Sequence, residues 1–267
     1  MTSIAVQQIG HDFLDFAHAW HEARKFAPFA ELALLEQVTV TVARDAADIF
    51  SLGKRLITLN QDQGVRRMRY TKMHELGHYL FKTAEDGQFI AGLRSRFAGN
   101  LDAQRKYEEA IVIQAGMQLF IPRPLLREAF GRYEEDAKRA QWLALKTGGS
   151  FAVAGQRIAA AVSRPVAGLI MGTDGRVSDF FGNDIKKLSS GRNFTVPEEH
   201  PLRQKPFEAG KVEFLKAGIP YKYSRKKVSR HMQLLYDDMR GQVIVFFNAP
   251  YGKNNQQRFL FPEMLPG

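Results

Sequence analysis

The sequence predicts an α+β fold in three parts: a helical N-terminal domain with a small sheet (residues 1–124), a helix–turn–helix-like helical segment (125–164) and an α+β C-terminal domain (165–267). Three observations carry this. Apolar residues recur at helical spacing through much of the first 162 positions, whereas short apolar or alternating runs of strand length flank and follow them. Proline punctuation at Pro122, Pro124 and Pro165 separates the parts. The composition, 45% hydrophobic and 25% charged, is that of an ordinary globular chain and excludes collagen-like or wholly disordered readings.

The elements follow in order. Phe13, Phe16, Ala17 and Trp20, then Leu32, Leu34 and Leu35, predict an opening helix, a break near Pro28 and a second helix. Val38 to Val42 alternates apolar residues with threonines and suits a strand, as does Arg55 to Leu59; Asn60 to Gly64 is a polar turn. Helical patterning resumes from Arg66 to about Phe81. Lys82 to Asn100, polar and glycine-rich, is expected to be a long connection with at most short structure. A helix from Asp102 to Phe120 must end before Pro122. Leu125 to Tyr133, Glu134 to Lys146 and Phe151 to Val162 are three more helices. The last two fit a helix–turn–helix, with Ala144 at the helix contact, Gly148 at the turn and Ser150 as N-cap. Beyond Pro165, Val166 to Met171, Arg176 to Phe181 and Val243 to Phe247 are strands, and Gly172 to Gly175 is a hairpin turn between the first two.

The chain has no cysteine, which excludes disulfide scaffolds, thiol nucleophiles and cysteine-ligated metal clusters. The first thirty residues, interrupted by His11, Asp12, Asp15, His18 and Glu22, do not read as a signal peptide, and no apolar run is long enough for a membrane span. The expected location is the cytoplasm, with no membrane partner. The net charge is +10, and residues 186–230 hold twelve basic against four acidic side chains. Such a segment either steers acidic partners or is simply a solvated face.

The chemistry is concentrated in His74-Glu-Leu-Gly-His78. Histidines four apart on a helix project from one face, and two imidazoles so placed can share a zinc ion at ~2.0–2.1 Å. Glu75, beside the first, reaches a coordinated water rather than the metal and is the candidate general base. A catalytic site needs a third protein ligand and an open position. No histidine follows until His200, so a carboxylate from the next helix is expected, and Glu108 and Glu109 are the first acidic pair there. Val112, Ile113 and Gly116 lie on or near the face of Glu109, which favours it only modestly over Glu108.

These residues, with Arg67-Met-Arg-Tyr-Thr before the motif and a glutamate-led helix ending Leu-Phe-Ile-Pro122 some thirty residues after it, resemble the IrrE/ImmA metallopeptidase family, and within it the IrrE-like (PprI-like) members. The family's ligand glutamate stands thirteen residues before the closing proline, which lands on Glu109. The resemblance thus implies a zincin-like peptidase domain with His74, His78 and Glu109 as ligands of Zn2+, the donor set also admitting Mn2+. It further implies a GAF-like C-terminal domain as sensor or docking module, with His200 of the Pro-Glu-Glu-His-Pro201 stretch needed for function. The implied protein substrate is a helix–turn–helix (DdrO-like) transcriptional repressor, cut to release DNA-damage and radiation-response genes. The chain departs from the family in lacking an evident asparagine after the ligand glutamate and in its Gly-Met-Gln-Leu-Phe-Ile-Pro ending.

Other features are weaker. The second helix of the helix–turn–helix offers only Gln156 and Arg157, with Arg164 beyond it, to DNA bases, so a packing or partner-docking hairpin is favoured over a DNA reader. Tyr221, Tyr223 and the basic residues to Arg230 interleave aromatics with cations, as nucleic-acid platforms and guarded edge strands both do. Tyr79, Arg69 and His200 have the chemistry to stabilise an oxyanion. The alternative function is a non-catalytic DNA- or protein-binding stress-response regulator with a structural metal.

Overall fold

A computed structural model describes residues 2–183, 194–204, 206–218 and 229–247. The chain divides into two compact units, Met1–Arg123 and Pro124–Gly267, and each has an apolar core. The architecture is mixed α+β: a helical first unit with a small sheet, and a sheet-rich second unit.

In the first unit, α1 (Thr2–Ala23) buries Phe13, Ala17 and Trp20, and α2 (Phe29–Leu35) starts directly after Pro28. Strands β1 (Thr39–Ala43), β2 (Ile49–Ser51) and β3 (Leu56–Asn60) form a sheet of order β1-β3-β2, with β1 parallel and β2 antiparallel to the central strand. Alternation in β3 sends Ile57 and Leu59 into the core. Helix α3 (Val65–Thr83) crosses this core and packs closely on α5 (Leu101–Phe120). Phe13 meets Phe81 and Phe89 edge-on at ring-centre distances of 4.9 and 5.1 Å, locking α1 to the motif helix.

The stretch expected to be a long connection contains α4 (Gln88–Arg96). Its composition is polar, but Phe89, Ile90 and Leu93 share one face and are buried, which suffices to fix a short helix on the core. Positive φ angles at Glu85, Asp86 and Gly87 turn the chain back after α3. Strand β2 also escaped the sequence reading, because three residues are too few to show a period; Phe50 anchors it by edge-on contact with Tyr79.

In the second unit, α6 (Arg123–Arg132), α7 (Asp136–Thr147) and α8 (Phe151–Ala161) precede strands β4 (Ala167–Gly172) and β5 (Val177–Gly182). The short α9 (Pro201–Gln204) and strands β6 (Val212–Gly218), β7 (Ser229–Asp237) and β8 (Gln242–Phe247) follow. The sheet order is β5-β4-β8-β7-β6, antiparallel throughout. Gly148 takes a left-handed conformation after α7, and the Ser150 hydroxyl accepts from Val153 N at 3.2 Å, as the turn-and-cap reading expects. Both helices pack on the sheet: Gln233 Oε1 of β7 accepts from Ala137 N at 3.2 Å, and a Cβ on Gly155 would lie 2.6 Å from the Phe181 ring. Among the described residues no helix is long and apolar enough to cross a membrane.

Candidate metal centre

Two helices place the site's residues. After the turn that ends at Gly64, α3 carries Tyr70, His74 and His78 at successive four-residue steps, so all three lie along one face. Its other faces bury Met73, Leu76, Leu80 and Phe81, which fixes the rotation of the helix. Helix α5 is started by Asn100, whose side chain accepts from Ala103 N at 3.0 Å, and it brings Glu108 and Glu109 opposite the histidines. Glycines allow the approach. A Cβ on Gly116 would sit 2.8 Å from His74 Cα, and one on Gly77 would sit 3.1 Å from a Val112 methyl. The two helices therefore touch backbone to backbone at the motif.

His74 Nε2 lies 3.3 Å from Glu109 Oε1, and His78 Nε2 lies 3.2 Å from Glu109 Oε2. One donor atom from each of the three residues falls within 4.8 Å of the others. Donors each ~2.0–2.1 Å from a tetrahedral ion stand about 3.3–3.4 Å apart, so the donor set has the type and the spacing for one divalent cation. The Glu109 side chain is 50% exposed, which leaves the cluster open on one side to water or a substrate carbonyl. Glu75 lies inside the cluster: its residue is 4% exposed and its Oε1 is 3.9 Å from His74 Nε2.

The electrostatics follow from this packing. Burial pushes the Glu75 carboxyl above its usual range, against the pull of His78 and His74 and with help from Asp48 and Glu109. Asp48 is itself fixed by donors from Asn60 N and Gln63 Nε2 at 2.8 and 2.9 Å. Hydrogen bonds from His74 and His78 hold Glu109 well below the ordinary carboxylate range despite partial burial. For His78 burial works downward, but hydrogen bonds to Glu108 and Glu109 prevail and push it up to about 9. Ligation requires neutral imidazoles, so a bound cation would displace these protons.

The structure brings together His74, Glu75, His78 and Glu109. It also assigns Glu108, left above as the lesser of two ligand candidates, a place of its own: its Oε1 is 3.0 Å from His78 Nδ1 and 3.1 Å from Lys82 Nζ. Nothing in the local sequence announces this, since it depends on which imidazole nitrogen faces α5. Tyr70 is a second residue the sequence reading passed over. It lies beside His74 (ring centres 6.1 Å apart) and its hydroxyl donates to Ile113 O at 3.2 Å.

Tyr79, by contrast, faces away from the histidines and donates to Glu36 Oε2 at 2.9 Å. In the second unit, His200 Nε2 stands 2.8 Å from Gly218 O, and Leu202 N donates to its Nδ1 at 3.1 Å, so the ring ties α9 to the end of β6. The three residues considered as base readers are engaged within their own unit. Gln156 Oε1 accepts from Gly182 N, Arg157 is buried, and Arg164 pairs with the buried Asp136. Eight of the twelve basic residues of the segment, Arg225 to Lys227 among them, lie outside the described residues, as do Tyr221 and Tyr223.

Residues 36–159 match the family model described as the IrrE N-terminal-like domain, Peptidase_M78. A solved structure titled as a Mycobacterium tuberculosis transcriptional regulator is similar in fold, with a TM-score of 0.55 and 11% identity over 89% of this chain and 76% of that one. No curated protein matches the chain in sequence.

Proposed function

We propose, from the match of residues 36–159 to the IrrE N-terminal-like domain, that the chain is a zinc-type metalloendopeptidase acting on a helix–turn–helix, DdrO-like transcriptional repressor. The observation that carries the reading is the convergence of His74, His78 and Glu109 on one point, with the buried Glu75 beside it, inside a domain of a peptidase family. His74, His78 and Glu109 would hold the cation. When bound, zinc lowers the pKa of a coordinated water toward ~7 and polarises an amide carbonyl; manganese fits the same donors.

The chain's own residues do the rest. Glu75, buried and with its proton affinity raised, accepts a proton from the attacking water at Oε and delivers it to the leaving amine nitrogen. Its position within the cluster keeps that carboxylate at hand without making it a ligand. The exposed side at Glu109 admits an extended segment of substrate. A single cut in a folded repressor needs recognition away from the scissile bond, and the surplus positive charge of residues 186–230 suits an acidic face of the partner. Release of the repressed DNA-damage genes would follow from loss of the intact repressor.

The test is a purified repressor mixed with the full chain and Zn2+, read as fragments on a gel. Two fragments with the native chain and none with Glu75→Gln support the reading; equal cleavage by Glu75→Gln removes the proposed base. Zinc content measured on the same samples should be equal in both.

A further inference from the structure

Glu108 is only 8% exposed, in a place where an ionised carboxylate is stable only when paired. Both of its partners come from consecutive turns of α3: His78 Nδ1 at 3.0 Å and Lys82 Nζ at 3.1 Å, on the same oxygen. Adjacent residues on a helix point about 100° apart, and here the two carboxylates go to opposite nitrogens of the His78 ring. Glu109 faces the two Nε2 atoms, while Glu108 addresses the opposite nitrogen of one ring.

We propose that Glu108 is a positioning residue of the metal site, fixing the His78 ring through Nδ1 so that Nε2 is presented to the cation, with Lys82 fixing Glu108 in turn. The proposal rests on the reading of His74, His78 and Glu109 as ligands. A carboxylate on Nδ1 selects the tautomer with the proton there and the lone pair on Nε2, and it makes that nitrogen a better donor. The two histidines are unequal in this respect. His74 Nδ1 is buried with no hydrogen-bond partner among the described residues, so packing against Gly116 orients that ring's helix, and no described carboxylate meets its Nδ1 as Glu108 meets that of His78. His78 is therefore the anchoring ligand and Glu108 the source of its rigidity. The competing explanation is an ion pair between Glu108 and Lys82 that merely stitches α3 to α5.

The experiment is the zinc affinity of the full chain, by competition with a chromophoric chelator, together with the melting temperature of the metal-free protein. Glu108→Ala should weaken zinc binding by about 10- to 100-fold with little change in the metal-free melt, and Glu108→Gln, which keeps an acceptor oxygen, should recover part of the loss. Lys82→Met should weaken it less than Glu108→Ala. An unchanged affinity in Glu108→Ala, or an equal loss in Lys82→Met, overturns the proposal. Should Glu108→Ala fail to fold, Glu108→Gln decides: weakening by about threefold or more upholds the role and none overturns it. His74→Ala separates the two levels. If it too binds zinc like the native chain, the ligand reading itself is wrong; if it loses zinc while Glu108→Ala does not, only the positioning role falls.

Discussion

Glu75 combines two attributes seldom found together, deep burial and four charged neighbours of both signs, and its carboxyl is held above the usual range as a result. A group so placed is tuned for proton transfer, so Glu75→Gln should lower turnover of a repressor substrate by about 100- to 10,000-fold while leaving zinc content unchanged, measured by gel densitometry and elemental analysis. The residues of this cluster differ in how far sequence exposes them. His74, Glu75 and His78 are legible because their chemistry is written within one helical turn. Glu109 is legible only with a second constraint, its distance from Pro122, since face geometry alone separates it weakly from Glu108. The contact of Glu108 with His78 is not legible, because it depends on the rotation of one imidazole thirty residues away.

At the scale of elements, the site depends on how closely α3 and α5 approach. Gly116 stands where any Cβ would meet the His74 backbone at 2.8 Å, so Gly116→Ala must separate the helices at the first ligand. That substitution should destabilise the protein by about 1–3 kcal/mol in chemical denaturation and weaken zinc binding, even though alanine is the better helix former. The end of α1 supplies a pH-dependent contribution. His21 is buried with Nε2 3.1 Å from Ala27 O, and burial, with Arg24 adding to it and the bond to Ala27 opposing it, holds the ring below its ordinary value. The unfolded chain therefore takes up the proton first: the contribution of His21 is present above pH ~6.5 and is lost as the pH falls through its folded value. Melting temperatures of His21→Gln should show a shallower decline over that acid limb than those of the native chain. Most of the helices, and strands β1, β3, β4, β5 and β8, are legible from their own patterns. The misses, β2, α4, β6 and β7, are short or mix polar side chains with apolar ones, and their pairing partners rather than their own patterns define them.

For the whole molecule, charge and division into units matter most. Ten excess positive charges bias encounters toward acidic partners, and much of the bias sits in residues 186–230, outside the domain matched to the peptidase family. If that segment recruits the substrate, kcat/KM toward an intact repressor should fall as salt rises, whereas cleavage of a short uncharged peptide spanning the same bond should respond little. Packing of α7 and α8 on the second unit's own sheet explains why their helix–turn–helix pattern, visible in sequence, says little about DNA. The pattern specifies the hairpin, while Gln156 accepts from Gly182 of β5 and Arg157 is buried.

On the function proposed above, His74, His78 and Glu109 jointly hold a divalent cation. Elemental analysis of the full chain after zinc loading and exhaustive dialysis tests it most directly: about one equivalent of zinc in the native protein and almost none in Glu109→Ala is the expected result. Zinc absent from the native chain, or retained undiminished by Glu109→Ala, would contradict it.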